Sequence, residues 1–130
     1  MQIGDTYEYK TVVTESVTAG ALGSGGLPIF ATPCMSTMME AAAYYYMKEN
    51  LPEGKSSVGT LVNITHVSPS PVGMEVRAVS EVIAISENGK MYDFKVTAYD
   101  SKGVIGEGIH QRAIIDVERF MAKCQGKLEQ

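Results

Sequence analysis

Tryptophan is absent from this chain, histidine occurs only at His66 and His110, and cysteine only at Cys34 and Cys124. Two histidines exclude a metal centre built from several imidazoles, so no catalytic metal is expected. Two cysteines so far apart match neither a metal-ligand spacing nor a secreted disulfide framework; they read as reduced thiols of a cytoplasmic protein. Long apolar runs are missing too. Nothing approaches the ~20 residues that cross a bilayer, and the polar start Met1-Gln2-Ile3-Gly4-Asp5 lacks the basic and apolar regions of a signal peptide, so no membrane partner is expected. Basic residues are outnumbered, 11 Lys and Arg against 15 Asp and Glu for a net charge of −4, and they form no stripe of the kind nucleic acid requires.

What is present suits one small core. A chain of 130 residues, 45 % apolar, fits a single domain spanning 1–130, since compact domains commonly hold roughly 100–150 residues. A chain of this size has much surface for its volume and gains stability by association.

Residues 6–18 are rich in Thr, Tyr and Val and read as a strand, ended by the Gly/Ser-rich stretch 20–26 as a flexible approach. Thr32-Pro33 combines a favoured helix cap with the residue suited to a first helical turn, and Pro52 with Gly54 ends the element, which predicts one long helix over 33–50. Its Met, Ala and Tyr residues surround the whole circumference, the mark of a helix enclosed on all sides. Strands follow at about 56–67, 74–87, 90–100 and 103–117, divided by Pro69/Pro71/Gly73, by Asn88-Gly89 and by Asp100-Ser101-Lys102-Gly103. Asn88-Gly89 is a strong signal for a tight primed hairpin, which makes the strands on either side of it antiparallel neighbours. An amphipathic turn at 117–124 and a fraying end at 125–130 complete the chain. A strand, a buried helix and four antiparallel strands imply an α+β hotdog fold: an antiparallel sheet of about five strands wrapped around one central helix. One sheet covers only part of a helix, so the rest is expected to meet a symmetry mate in a homodimer, or in a dimer of such dimers.

Glu40 is the only charged residue between Pro33 and Met47. An unpaired buried carboxylate costs several kcal/mol or becomes protonated, so Glu40 either reaches a rim or an arginine such as Arg77 or Arg112, or serves as a base or nucleophile. His66 shares a strand face with Val62 and Ile64; a lone histidine there is more often structural, although its ordinary pKa suits proton transfer. Thr32 alone reads as a helix cap worth ~1 kcal/mol. Thr32, Ser36 and Glu40, spaced by four, nevertheless form a polar row along an apolar rod, and such a row can line a cleft. Gly59, in a strand otherwise rich in β-branched residues, marks either a bulge or a close approach of ligand to backbone. The Met residues and Tyr44, Tyr45 and Tyr46 read as core or dimer packing, and Cys34 as a small buried hydrophobe. Gly54-Lys55-Ser56 lacks the first glycine and the preceding strand of a phosphate loop, and the glycines around Ser24 do not make a nucleophile elbow.

In Phe30-Ala31-Thr32, Met39-Glu40, Val58-Gly59-Thr60, Thr65-His66 and Arg112-Ala113, in that order and spacing, the chain resembles the hotdog thioesterases similar to fluoroacetyl-CoA thioesterase, over roughly residues 4–123. The resemblance implies hydrolysis of a short acyl-CoA by a constellation of Thr32, Glu40 and His66, with Gly59 lining the thioester carbonyl and Arg112 at the substrate. It implies no cofactor beyond the CoA carried by the substrate. The approach to the helix departs from that family: where the fluoroacetyl-CoA enzymes are aromatic, this chain has Gly23-Ser24-Gly25-Gly26-Leu27, which argues against selectivity for fluoroacetate. Two other readings compete. A hotdog hydratase or dehydratase would need an Asp and a His close in sequence, a pair this chain lacks, and a non-catalytic acyl-CoA-binding dimer would bind CoA unaffected by Glu40→Gln.

Overall fold

A computed structural model describes residues 1–129. The chain runs β1 (Thr6–Val12), α1 (Ala19–Leu22), α2 (Thr32–Asn50), β2 (Lys55–His66), β3 (Glu75–Ile85), β4 (Met91–Asp100), β5 (Gly103–Asp116) and α3 (Val117–Gln125). The five strands form one antiparallel sheet in the order β1-β3-β4-β5-β2. The sheet closes on α2 through Met35, Met38, Met39, Ala42, Ala43, Tyr46 and Met47 against Val76, Val82, Phe94, Val96 and Ile105. Truncating one of these buried methionines to alanine would cost ~2–5 kcal/mol through lost contacts and the cavity left behind. This is the expected hotdog arrangement. The buried arc does not encircle α2, however: Thr37, Tyr45 and Lys48 are exposed, and Glu40 lies half-buried at the margin.

Four local expectations change. The first strand ends at Val12, because Val13 turns to exchange backbone bonds with Met74 and Gly73, and Thr18 caps α1 by accepting from the Ala21 amide. The glycine-rich approach is closed on itself at its base, by Ala19 N–H to the Ile29 carbonyl and Gly20 N–H to the Leu27 carbonyl, and its far end is tied to the body by Phe30 N–H to the Ser70 carbonyl. The β3–β4 hairpin forms at Asn88-Gly89, but not as a primed turn. Ser86 donates its amide to Met91, Gly89 takes a positive φ of 72°, and no non-glycine residue has a positive φ among those described. Finally, the end of the chain continues beyond α3 in a 3-10 turn over Gly126–Leu128 where fraying was expected, although Gln130 lies outside the described residues.

Two features of the sheet place the chemistry. In β2 the register shifts between Gly59 and Leu61, so Thr60 is an extra residue opposite β5. Such a bulge reverses the alternation of side chains. As a result odd-numbered Ser57 and Gly59 and even-numbered Ile64 and His66 all turn toward α2. The second feature is Gly106 and Gly108 in β5: a Cβ on Gly108 would lie 2.0 Å from the Asn63 carbonyl oxygen, and one on Gly106 2.5 Å from that of Thr65. Only glycine lets β2 fold this closely across β5, which carries His66 to the start of α2.

Candidate active site

The polar row on α2 divides into two groups. At the helix start, Ala31 occupies the capping position and its side chain makes no cap bond, while Thr32 already belongs to the first turn. Thr32 is therefore no cap, and its Oγ1 lies 2.8 Å from His66 Nδ1. Phe30 meets the imidazole edge-on at 6.4 Å between ring centres. Burial pulls the His66 pKa below its ordinary value, a contact with the Ser68 backbone opposing it, so the ring is neutral near pH 7 and able to take up a proton. Its Nε2 is buried and has no hydrogen-bond partner among the described residues. Beside this pair opens a cleft of about 350 Å³, walled by Ala19, Gly25, Gly26, Leu27, Ile29 and Phe30.

One turn further along, Ser36 donates through Oγ to Oε1 of Glu40, a turn beyond it, at 3.0 Å, so the hydroxyl that the row offered to a cleft holds the carboxylate. Neither arginine weighed as a partner makes a direct ion pair with Glu40 among the described residues. Arg77 bonds Glu8 at 3.0 Å and lies over the Tyr99 ring. Arg112 is buried beneath Glu40. It donates through Nε to Ser57 Oγ at 2.8 Å, through Nη2 to the Ser57 carbonyl at 2.9 Å and through Nη1 to His110 Nε2 at 3.1 Å. Burial works against its charge and the nearby Glu40 carboxylate works for it.

Gly59 joins these groups. A Cβ there would come 3.2 Å from His110 Cε1, 3.5 Å from Arg112 Nη1 and 3.7 Å from Glu40 Oε2. The missing side chain keeps open a small space faced by a carboxylate, a guanidinium and bare backbone. Of the two things its sequence left open, Gly59 adjoins a bulge, and the residue is exposed.

Thr32 and His66 are in contact, as are Ser36 and Glu40, and Gly59 and Arg112 gather at the second group. Among the described residues no bond within one chain joins the two groups. Eight residues at 1.5 Å each separate Thr32 from Glu40 by ~12 Å along the axis. The residues missed by sequence reasoning are Ser57 and His110. A signal existed for His110, because it sits two residues before Arg112 on one strand and must share its face.

The family profile described as fluoroacetyl-CoA-specific thioesterase matches residues 13–118. The fluoroacetyl-CoA thioesterase of Streptantibioticus cattleyicolor is 35% identical over 99 residues, covering 76% of this chain and 70% of that protein. A fluoroacetyl-CoA thioesterase variant solved with acetyl-CoA superposes with a TM-score of 0.91 at 30% identity, covering 98% of each chain. A thioesterase superfamily member from Thermus thermophilus superposes at 0.86 with 28% identity, over 98% of this chain and 96% of that one. A hot-dog-like protein from Thermanaerovibrio acidaminovorans, 18% identical, shares the fold at a TM-score of 0.90, over 100% of this chain and 95% of that one. Matched in sequence over most of its length and in structure over nearly all of it, the chain belongs to the fluoroacetyl-CoA-specific thioesterase family.

Proposed function

We infer that this protein hydrolyses acyl-CoA thioesters, with Thr32, Glu40 and His66 as its catalytic residues. The observation that carries the reading is His66: neutral, held at Nδ1 against Thr32, and unpartnered at Nε2 beside an open cleft. A thioester needs little more. Its carbonyl is electrophilic and its thiolate is a good leaving group. Glu40 takes a proton from the attacking water, or attacks directly to give an anhydride that water opens. In both routes the C–S bond breaks and the carbonyl carbon gains an oxygen: in the first the proton taken from water passes through His66 to the departing sulfur, and in the second sulfur leaves as thiolate and His66 takes its proton afterwards, from the water that opens the anhydride, and passes it on to that thiolate. Thr32 orients by hydrogen bonding, and backbone N–H groups near Gly59 or at the start of α2 receive the negative charge developing on the carbonyl oxygen. Arg112 Nη1 borders the same space. The only coenzyme involved is the CoA of the substrate, and the chemistry calls for no metal.

The ~12 Å between Thr32 and Glu40 supports a homodimer. Strand β2 is an edge strand of 12 residues, with Leu61 and Val62 exposed at its middle. A long bare edge is a template for pairing. Antiparallel pairing of two copies about Leu61 and Val62 sets residues equidistant from the axis opposite each other. The Gly59 and Glu40 end of one protomer then meets the His66 end of its partner, and each site is completed across the interface.

Among the described residues no helix is long and apolar enough to cross a membrane. Cys34 and Cys124 are free thiols, which supports a reducing, cytoplasmic setting.

The test follows free-thiol release from short acyl-CoA substrates by the wild type and Glu40→Gln. Removing a general base costs about 10²–10⁴-fold in turnover. Loss on that scale with CoA binding retained fits the reading; a folded wild type inactive across acetyl- to octanoyl-CoA overturns it.

A further inference from the structure

His110 is wholly buried, yet none of the steps above uses it. Its bonds are unusually determinate. Arg112 Nη1 carries only protons to give, so His110 Nε2, 3.1 Å away, must accept. That leaves the proton on Nδ1, which lies 2.8 Å from the Leu61 carbonyl oxygen and donates to it. Leu61 is the residue immediately after the Thr60 bulge. The imidazole therefore fastens the irregular turn of β2 on one side and the guanidinium on the other, while its Cε1 faces the gap at Gly59. Every element packed on it contributes: Leu61 from β2, Phe94 stacked from β4 at 6.4 Å, Arg112 from its own strand and Glu40 from α2. A protonated ring would lose the Arg112 bond and set two cations side by side.

We propose that His110 is a positioning residue: a permanently neutral Nδ1–H imidazole that fixes the Gly59 backbone and the Arg112 guanidinium against Glu40. Its kinetic consequences rest on the thioesterase reading, but its wiring does not. Burial is the main force holding its pKa below the ordinary value, with the Leu61 carbonyl opposing, Arg112 adding to it and Glu40 opposing.

The experiment has two arms. In the whole protein carrying ¹⁵N-histidine, NMR of both rings, assigned by the spectrum of His66→Ala, should show His110 as the Nδ1–H tautomer. An Nε2–H tautomer, or an imidazolium at pH 7, overturns the proposal whether or not the protein releases thiol. In the second arm, His110→Phe keeps the ring and its stacking but loses both bonds. A misplacement of about 1 Å at a reacting centre costs on the order of 100-fold, so kcat should fall at least ~10-fold with KM changed far less. His110→Asn, which restores a donor to Leu61, should recover part of the loss. A folded His110→Phe with wild-type kcat overturns the proposal, and if that variant fails to fold, the tautomer decides.

Discussion

The two ends of the polar row on α2 are built on opposite principles. At Thr32 and His66 one hydrogen bond joins two side chains beside an open cleft, and the second imidazole nitrogen is unengaged. At Glu40 the carboxylate stands over a buried guanidinium whose three donor nitrogens are all engaged, by Ser57 and His110. The same strand, β5, supplies the floor of both: Gly106 and Gly108 under the open end, His110 and Arg112 under the closed one. Small residues give room where a ligand and a ring must approach, and large, saturated polar ones give rigidity where a charge must keep its place. Proton transfer wants an unfilled valence, and aiming a charge wants none.

The contrast can be tested from its largest consequence down. If the ends meet across a dimer, Glu40→Gln and His66→Ala, each nearly inactive alone, should complement one another. The mixed dimer contains one intact site and should recover roughly half of the wild-type rate per dimer; no recovery in a mixture shown to have exchanged subunits would place both groups in one protomer. Arg112→Met should act on the closed end as a loss of stability. It leaves Ser57 Oγ and His110 Nε2 buried without a donor, at ~1–3 kcal/mol in urea unfolding, and an unchanged midpoint would show the cluster to be slack. Thr32→Val, at the exposed end, should move stability by less than ~0.5 kcal/mol while slowing thiol release, so a large shift in melting would return Thr32 to a structural role.

The smallest effect is that of acid. Both histidines are held below their ordinary pKa by burial. An unfolded histidine binds its proton near pH ~6.5, so as pH falls through that range the unfolded state takes up protons that the folded state refuses. Stability is full above this range and declines below it. Melting followed from pH 7.5 to 5.5 should show the decline, with a shallower slope in His110→Asn.

Much of this was legible in the chain. The helix, the four later strands and the β3–β4 pairing followed from Pro33, Pro52, Asn88 and the dividing glycines, because turn and cap chemistry is local. Thr32 was misread as a cap since Thr-Pro is a cap motif, and only the path of the chain puts Ala31 in that position instead. The Thr- and Val-rich residues after Val12 have the composition of a strand, and their turn comes from bonds to Met74 and Gly73, some sixty residues away. His110 was invisible as a wired group for the same reason: its partners come from three strands, and one of them depends on a bulge that Gly59 hinted at but did not locate.

That bulge gives β2 a property no single side chain has. A regular strand is a two-sided ruler, and Thr60 inserts a half-step at its centre, letting one edge be graduated in odd numbers and then in even ones. Were the same residues, Thr60 included, paired in one unbroken register, the graduations would no longer match: with Gly59 still facing α2, the imidazole seven places on would be carried round to the outer surface of the sheet, and Thr32 would face empty space.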